Sequence, residues 1–137
     1  MSDMSDFNQK IIEEFRANAG KVGGPFQGAQ LLLLHTTGAK SGQDRIAPLA
    51  YRNDGGHFVV FASKAGAPTN PDWYHNLVAN PAVTVELGTE QFQARARIAE
   101  DDEHDRIWEA QKRDVPNFAE YEKKTDRRIP VIVLERS

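Results

Sequence analysis

Two turn signals divide the middle of this chain into paired strands. Asn53-Asp54-Gly55-Gly56 separates a run beginning at Arg45 from His57-Phe58-Val59-Val60-Phe61, and Gly88-Thr89 separates residues 83–87 from residues 91–98. Asn, Asp and Gly accept the backbone conformations that tight turns demand, so each signal predicts an antiparallel hairpin. Within residues 91–98, Phe92, Ala94, Ala96 and Ile98 alternate with Gln93, Arg95 and Arg97, which predicts one face on a core and one in water. Leu31-Leu32-Leu33-Leu34-His35-Thr36-Thr37 reads as a buried strand. Residues 45–52 read as a strand in which Pro48 marks an edge or a bulge, and residues 129–135 as a last apolar strand.

Helix signals fall outside or between these hairpins. Ser5 can cap a helix whose apolar positions Phe7, Ile11, Ile12 and Phe15 recur at near-helical spacing until Ala19-Gly20. Asn70 as N-cap with Pro71 in the first helical position predicts a short helix over residues 72–79, stopped by Asn80-Pro81. A charged helix follows over residues 101–113 with Ile107 and Trp108 inward, and Pro116 separates it from a second short helix through Tyr121. Hairpins with helices outside them predict an α+β fold with a mainly antiparallel sheet or small barrel of about six strands, not a doubly wound parallel sheet.

At 137 residues the chain has the size of one domain. Residues 1–28 read as a helix with a Gly-rich connector (Gly20, Gly23, Gly24, Pro25, Gly28), and residues 29–137 as the body of the fold. With no Cys, disulfide frameworks, thiolate zinc sites and thiol catalysis are excluded. A net charge of -3 gives no global basic field, which argues against duplex nucleic acid as a partner. The start of the chain carries Ser2-Asp3 and Ser5-Asp6 where a signal peptide would carry basic residues, so a cytoplasmic location is expected. The longest apolar run, residues 29–34, is far below the roughly 20 residues that span a bilayer.

The stripe on the first helix would ordinarily pack into a core. Joined through a glycine-rich connector, it could instead lie as a lid over an apolar ligand. Lys10 and Arg16 share its polar face with Glu13 and Glu14, so any contact with a membrane surface should be weak and peripheral, and the lid is preferred to the anchor.

Two segments could carry chemistry. Thr36-Thr37-Gly38-Ala39-Lys40-Ser41-Gly42-Gln43-Asp44-Arg45 can present backbone N–H groups, a hydroxyl, an ammonium and a guanidinium to one anion. A plain solvated turn has the same composition, and the glycine spacing is not that of a P-loop. Residues 62–68, Ala62-Ser63-Lys64-Ala65-Gly66-Ala67-Pro68, run into Pro71-Asp72-Trp73-Tyr74-His75-Asn76-Leu77; small side chains there would let a flat ring approach the backbone, with Trp73 as a wall and Leu77 in the core. His35, His57, His75 and His104 show no metal-ligand spacing, so no metal is expected.

These segments in this order resemble the deazaflavin-dependent nitroreductase family, split β-barrel reductases of FMN-binding-like fold that use coenzyme F420. The matching text is residues 32–45 with Pro48-Leu49, residues 62–68, residues 71–77 with Asn80-Pro81-Ala82-Val83, and Tyr121 with Thr125-Asp126-Arg127-Arg128-Ile129-Pro130-Val131. The coenzyme carries a flat deazaflavin ring, a phosphodiester and a polyglutamate tail. The resemblance implies that Lys40, Ser41 and Arg45 hold the phosphate and acidic tail, with Thr37 and Gly38 shaping the loop. It implies further that Pro48 and Leu49 flank the ring, that Ala62, Ser63 and Lys64 line its polar edge, and that Trp73 packs beside it. Ala39 stands where many members have an Arg, which removes one phosphate contact.

The activity implied is hydride transfer from reduced deazaflavin to a small-molecule acceptor, a quinone, nitroaromatic or conjugated carbonyl compound, with Ser63, Tyr74 and Tyr121 as candidate donors facing the acceptor. An FMN-binding split-barrel oxidoreductase and a non-catalytic coenzyme carrier are the alternatives. A monomer and a homodimer both fit a half-open barrel.

Overall fold

The hairpin signals are realised in a computed structural model that describes residues 3–20, 31–62, 70–125 and 128–136, with side chains from Gln9 onward. In chain order the elements are α1 (Asp3–Ala17), β1 (Leu31–Thr37), β2 (Asp44–Ala50), β3 (Arg52–Asp54), β4 (His57–Phe61), α2 (Asp72–Ala79), β5 (Ala82–Leu87), β6 (Glu90–Ile98), α3 (Asp101–Asp114), α4 (Asn117–Lys123) and β7 (Val131–Arg136). All strands join one curled sheet in the order β2-β1-β5-β6-β7-β4-β3, and each described pairing is antiparallel. The sheet forms a half-barrel with β2 and β3 at its two edges.

The described sheet has seven strands where about six were expected. Tyr51 interrupts the run read as one strand, so residues 44–50 pair with β1 while residues 52–54 turn away to pair with β4. Pro48 sits in edge strand β2 opposite Leu33, where its missing N–H costs the ladder least.

The barrel interior is filled by Leu32 and Leu34 of β1, Val60 of β4, Val83 and Val85 of β5, Phe92, Ala94 and Ala96 of β6, and Ile132 and Leu134 of β7, with Leu77 of α2 plugging one end. The alternation of β6 holds up to Ala96. Ile98, expected inside, is 37% exposed, and Ala99 is buried instead as its N–H bonds Val131 O and the strand ends.

The outer face of the sheet is also apolar in two places, and a helix covers each. Ile107 and Trp108 of α3 pack on Val59, Phe61, Val131 and Val133. Ile11, Ile12 and Phe15 of α1 pack on Leu31, Leu33 and Ile46. Phe15 is fully buried, so the apolar stripe of α1 is core; the side chain of Phe7 and, beyond Gly20, the connector expected from Gly20 to Gly28 lie outside the described residues.

The end of α1 is locked onto the β5–β6 turn. Gly20 adopts φ 92 and donates to Phe15 O, and a Cβ there would come 2.9 Å from Gly88 Cα. Two helix starts depart from expectation. The backbone of α1 is already helical at Asp3, before Ser5, and the N-cap of α2 is Pro71 itself, with Asn70 one residue earlier.

Candidate active site

Among the described residues strand β2 has a partner on one side only, and a groove of about 1510 Å³ is lined by this edge. The loop between β1 and β2 closes one end of it. Gly38 N–H donates to Gln43 O at 2.8 Å, Gly42 N–H to Gly38 O at 2.9 Å, and Gln43 N–H to Ser41 Oγ at 3.2 Å, so the chain folds back on itself within five residues. A Cβ at Gly38 would lie 2.5 Å from Ser41 Oγ, so any larger residue there would push the Ser41 hydroxyl out of the bond to Gln43 N–H.

A buried amide ties this loop to α2. Asn76, 8% exposed, donates through Nδ2 to Thr36 Oγ1 at 3.2 Å and accepts Ala39 N–H at Oδ1 at 3.0 Å. One side chain thus joins the end of β1, the loop and the helix that carries Trp73.

Lys40, Ser41 and Arg45 are exposed and line the groove. Among the described residues neither Lys40 nor Arg45 has an ion-pair partner. The adjacent Asp44 also lines the groove, and its carboxylate meets His35 Nδ1 at 3.2 Å. The other ring nitrogen of His35 meets Glu86 at 2.5 Å, and Arg16 of α1 grips the same carboxylate through two bonds of 3.1 and 2.7 Å. Those bonds, the Arg16 pair first and His35 second, hold the Glu86 carboxyl below its ordinary value.

The walls of the groove are largely apolar, with Gln9, Asp72 and His75 also lining it. Ile46, Ala47, Pro48 and Leu49 of β2 form one side, with Ile12 of α1 beside them. Trp73 and Pro71 close the α2 side, and Phe61, Phe118 and Tyr121 form an aromatic side.

The structure brings Gly38, Lys40, Ser41, Arg45, Pro48, Leu49, Trp73 and Tyr121 to this groove. It leaves three expected residues elsewhere. Thr37 points to the outer face, and Thr36 lines the groove in its place; Ala62 is fully buried in the barrel core; Tyr74 packs against that core and is not among the lining residues. Ser63 and Lys64 lie outside the described residues. Thr36, Asn76 and Phe118 were missed. Thr36 shares its parity with Leu32 and Leu34, but an all-Leu run does not say which parity is inside. Among the described residues no cluster of three metal-ligating side chains occurs.

A half-barrel with a helix-capped groove along its edge defines the class of split-barrel flavin-reductase-like proteins. A pyridoxamine 5'-phosphate oxidase-like structure from Listeria innocua superposes over 96% of this chain and 94% of its own at TM-score 0.56 and 15% identity, a likeness of fold alone. Residues 8–136 match the model of the F420H(2)-dependent quinone reductase family, and the chain belongs to that family.

An F420H(2)-dependent quinone reductase of Mycobacterium tuberculosis is 40% identical over 126 residues, 89% of this chain and 85% of that one. A solved F420-H2 dependent reductase is 41% identical over 77% of this chain and 94% of its own, with TM-score 0.70. A second solved structure, a domain-swapped dimer, is 36% identical, covers 97% of this chain and 98% of its own, and has TM-score 0.72.

Proposed function

We propose that the groove binds reduced coenzyme F420 and a quinone side by side and passes a hydride from one to the other. One observation supports this above all. Two exposed cations without ion-pair partners among the described residues, Lys40 and Arg45, line the same groove as the aromatic rings of Trp73, Phe118 and Tyr121. A coenzyme with an anionic tail and a flat ring is the chemical complement of that arrangement, and the residues present fit it.

In this reading Lys40, Arg45 and the Ser41 hydroxyl receive the phosphodiester and acidic tail, since charge-assisted bonds to phosphate are about twice as strong as neutral ones. Asn76 holds the loop that carries them. Pro48 and Leu49 bound the ring on one side and Trp73 on the other. Bound there, the reduced deazaflavin supplies the hydride.

The chain's part is to orient, to exclude water and to handle one proton. Ile12, Phe61 and Phe118 keep the acceptor side apolar. A quinone that gains a hydride also needs a proton on oxygen, and the Tyr121 hydroxyl is the donor we assign to it. Ser63 and Lys64 are assigned to the polar edge of the ring. Nitroaromatics and conjugated carbonyl compounds are acceptors of the same electronic type. Binding of the coenzyme at an open sheet edge is compatible with a monomer, while the domain-swapped relative supports testing for a dimer. No helix among the described residues is long and apolar enough to cross a membrane.

The test is a side-by-side titration with oxidised F420 and FMN, followed by turnover of reduced F420 with a soluble naphthoquinone. Tighter binding of F420 and measurable turnover are expected. Equal or tighter FMN binding would move the chain to the flavin alternative, and tight F420 binding without turnover on quinones, nitroaromatics or conjugated lactones would make it a carrier.

A further inference from the structure

Helix α4 forms the aromatic side of the groove, yet none of its residues is buried. Seven residues of helix have little intrinsic stability in water, so its position must come from tertiary contacts. Two kinds are present. The Phe118 ring meets Phe61 at 5.3 Å, Trp108 at 5.9 Å and Tyr121 at 5.3 Å, a slippery apolar stack. The directional contact is Glu122, whose carboxylate accepts the indole N–H of buried Trp108 through one oxygen and Lys112 Nζ at 3.0 Å through the other. Trp108 and Lys112 lie one turn apart on α3, so the two bonds fix both the rotation and the axial position of α4 against α3. Phe118 is one turn before Glu122 on the same face, and Tyr121 is its immediate neighbour.

We propose that Glu122 is a positioning residue for the acceptor: by bracing α4 on the Trp108 indole it sets where the Phe118 and Tyr121 rings stand over the groove, and so how a flat acceptor is held. Glu122 is half exposed and does not line the groove, so it acts through its neighbours. The inference rests on the reading of the groove given above. It is specific to the α4 side of the site, because the loop of Lys40 and Arg45 is held by Asn76.

The experiment compares E122A and E122Q. In E122A the indole N–H loses its acceptor, and KM for 1,4-naphthoquinone is expected to rise about five- to tenfold, less than a whole charge-assisted bond is worth because the effect reaches the acceptor through α4. The dissociation constant of oxidised F420 stays at its wild-type value, while kcat falls along with the rise in KM because Tyr121, the assigned proton donor, moves with α4. E122Q keeps an oxygen for the indole and is expected to restore KM to within about twofold of wild type. An unchanged KM in E122A overturns the proposal, as does an equal loss of coenzyme affinity or a failure of Gln to rescue. Should E122A not fold, Trp108→Phe removes the donor half of the same bond and carries the same expectation. A wild-type protein that does not bind F420 would instead refute the reading of the groove, an outcome distinct from all of these.

Discussion

Replacing Asn76 by Ala tests whether the loop proposed to bind the coenzyme's anionic part is preorganised or merely present. The side chain removed makes two bonds, to Thr36 Oγ1 at 3.2 Å and from Ala39 N–H at 3.0 Å. Ala39 is exposed and its N–H can turn to water, so that loss should stay near the net worth of a neutral hydrogen bond, about 0.5–1.5 kcal/mol. Thr36 is 2% exposed, and leaving its hydroxyl without Asn76 adds a desolvation cost of about 1–3 kcal/mol. Unfolding free energy should therefore fall by about 1.5–4.5 kcal/mol, measured by urea denaturation.

Binding gives the sharper readout of the same substitution. Ala39 immediately precedes Lys40, so freeing its N–H loosens the cation that meets the phosphodiester. Affinity for F420 should drop about five- to thirtyfold, while affinity for a deazaflavin fragment lacking phosphate and tail stays the same, because Trp73, Pro48 and Leu49 are untouched. Asn76→Asp should keep both bonds, with the Thr36 hydroxyl now donating, yet weaken F420 through a new negative charge near the phosphate. Equal losses for F420 and for the fragment would refute the argument, since the amide would then be acting on the ring side. So would unchanged affinity for both.

Other expectations follow from the same contacts. Lys40→Ala and Arg45→Ala should each weaken F420 binding by about 1–3 kcal/mol in calorimetry, with the melting temperature unchanged, because neither side chain has an ion-pair partner among the described residues. Phe15→Ala, at a fully buried position, should cost about 3–5 kcal/mol of stability, and removal of residues 1–19 should abolish the cooperative thermal transition; a truncated protein that melts like the parent would restore the lid reading of α1. Gly20→Ala should also destabilise, since its Cβ would press on Gly88 backbone at φ 92.

For pH, the Glu86 carboxyl is held low by Arg16 first and His35 second, so its contribution is complete above the ordinary Glu value of about 4.3 and is lost as pH falls through its lower folded value. Glu86→Gln should therefore flatten the acid limb of a stability profile below about pH 4, and an unaltered limb would sink the assignment.

Local chemistry alone determined much of this protein. Pro71 and Asn80-Pro81 bound α2 at residues 72–79 because proline fixes φ and lacks a donor, constraints that act within a few residues. The Asn-Asp-Gly-Gly and Gly-Thr turns set two hairpins for the same reason. The loop from Gly38 to Arg45 was legible in composition only as a candidate anion site, a plain solvated turn having the same residues, because two cations and a hydroxyl between glycines need no distant partner to be suggestive.

What needed the tertiary structure was everything fixed by pairing between remote residues. Insertion of β7 between β6 and β4 brings the C-terminal strand into the barrel, and thereby brings α4 with Phe118 and Tyr121 to the groove. Sequence spacing carries no record of that. Thr36 replaced Thr37 in the groove because strand alternation defines two faces but not which one the sheet curls around, a choice made by the helices that cover the outer side. Asn76 and Glu122 read as ordinary polar helix residues until α2 is set against β1 and α4 against α3. A polar side chain acquires its role from the groups it satisfies, and those lie 37 to 40 residues away for Asn76 and 10 to 14 for Glu122, beyond the reach of any local pattern.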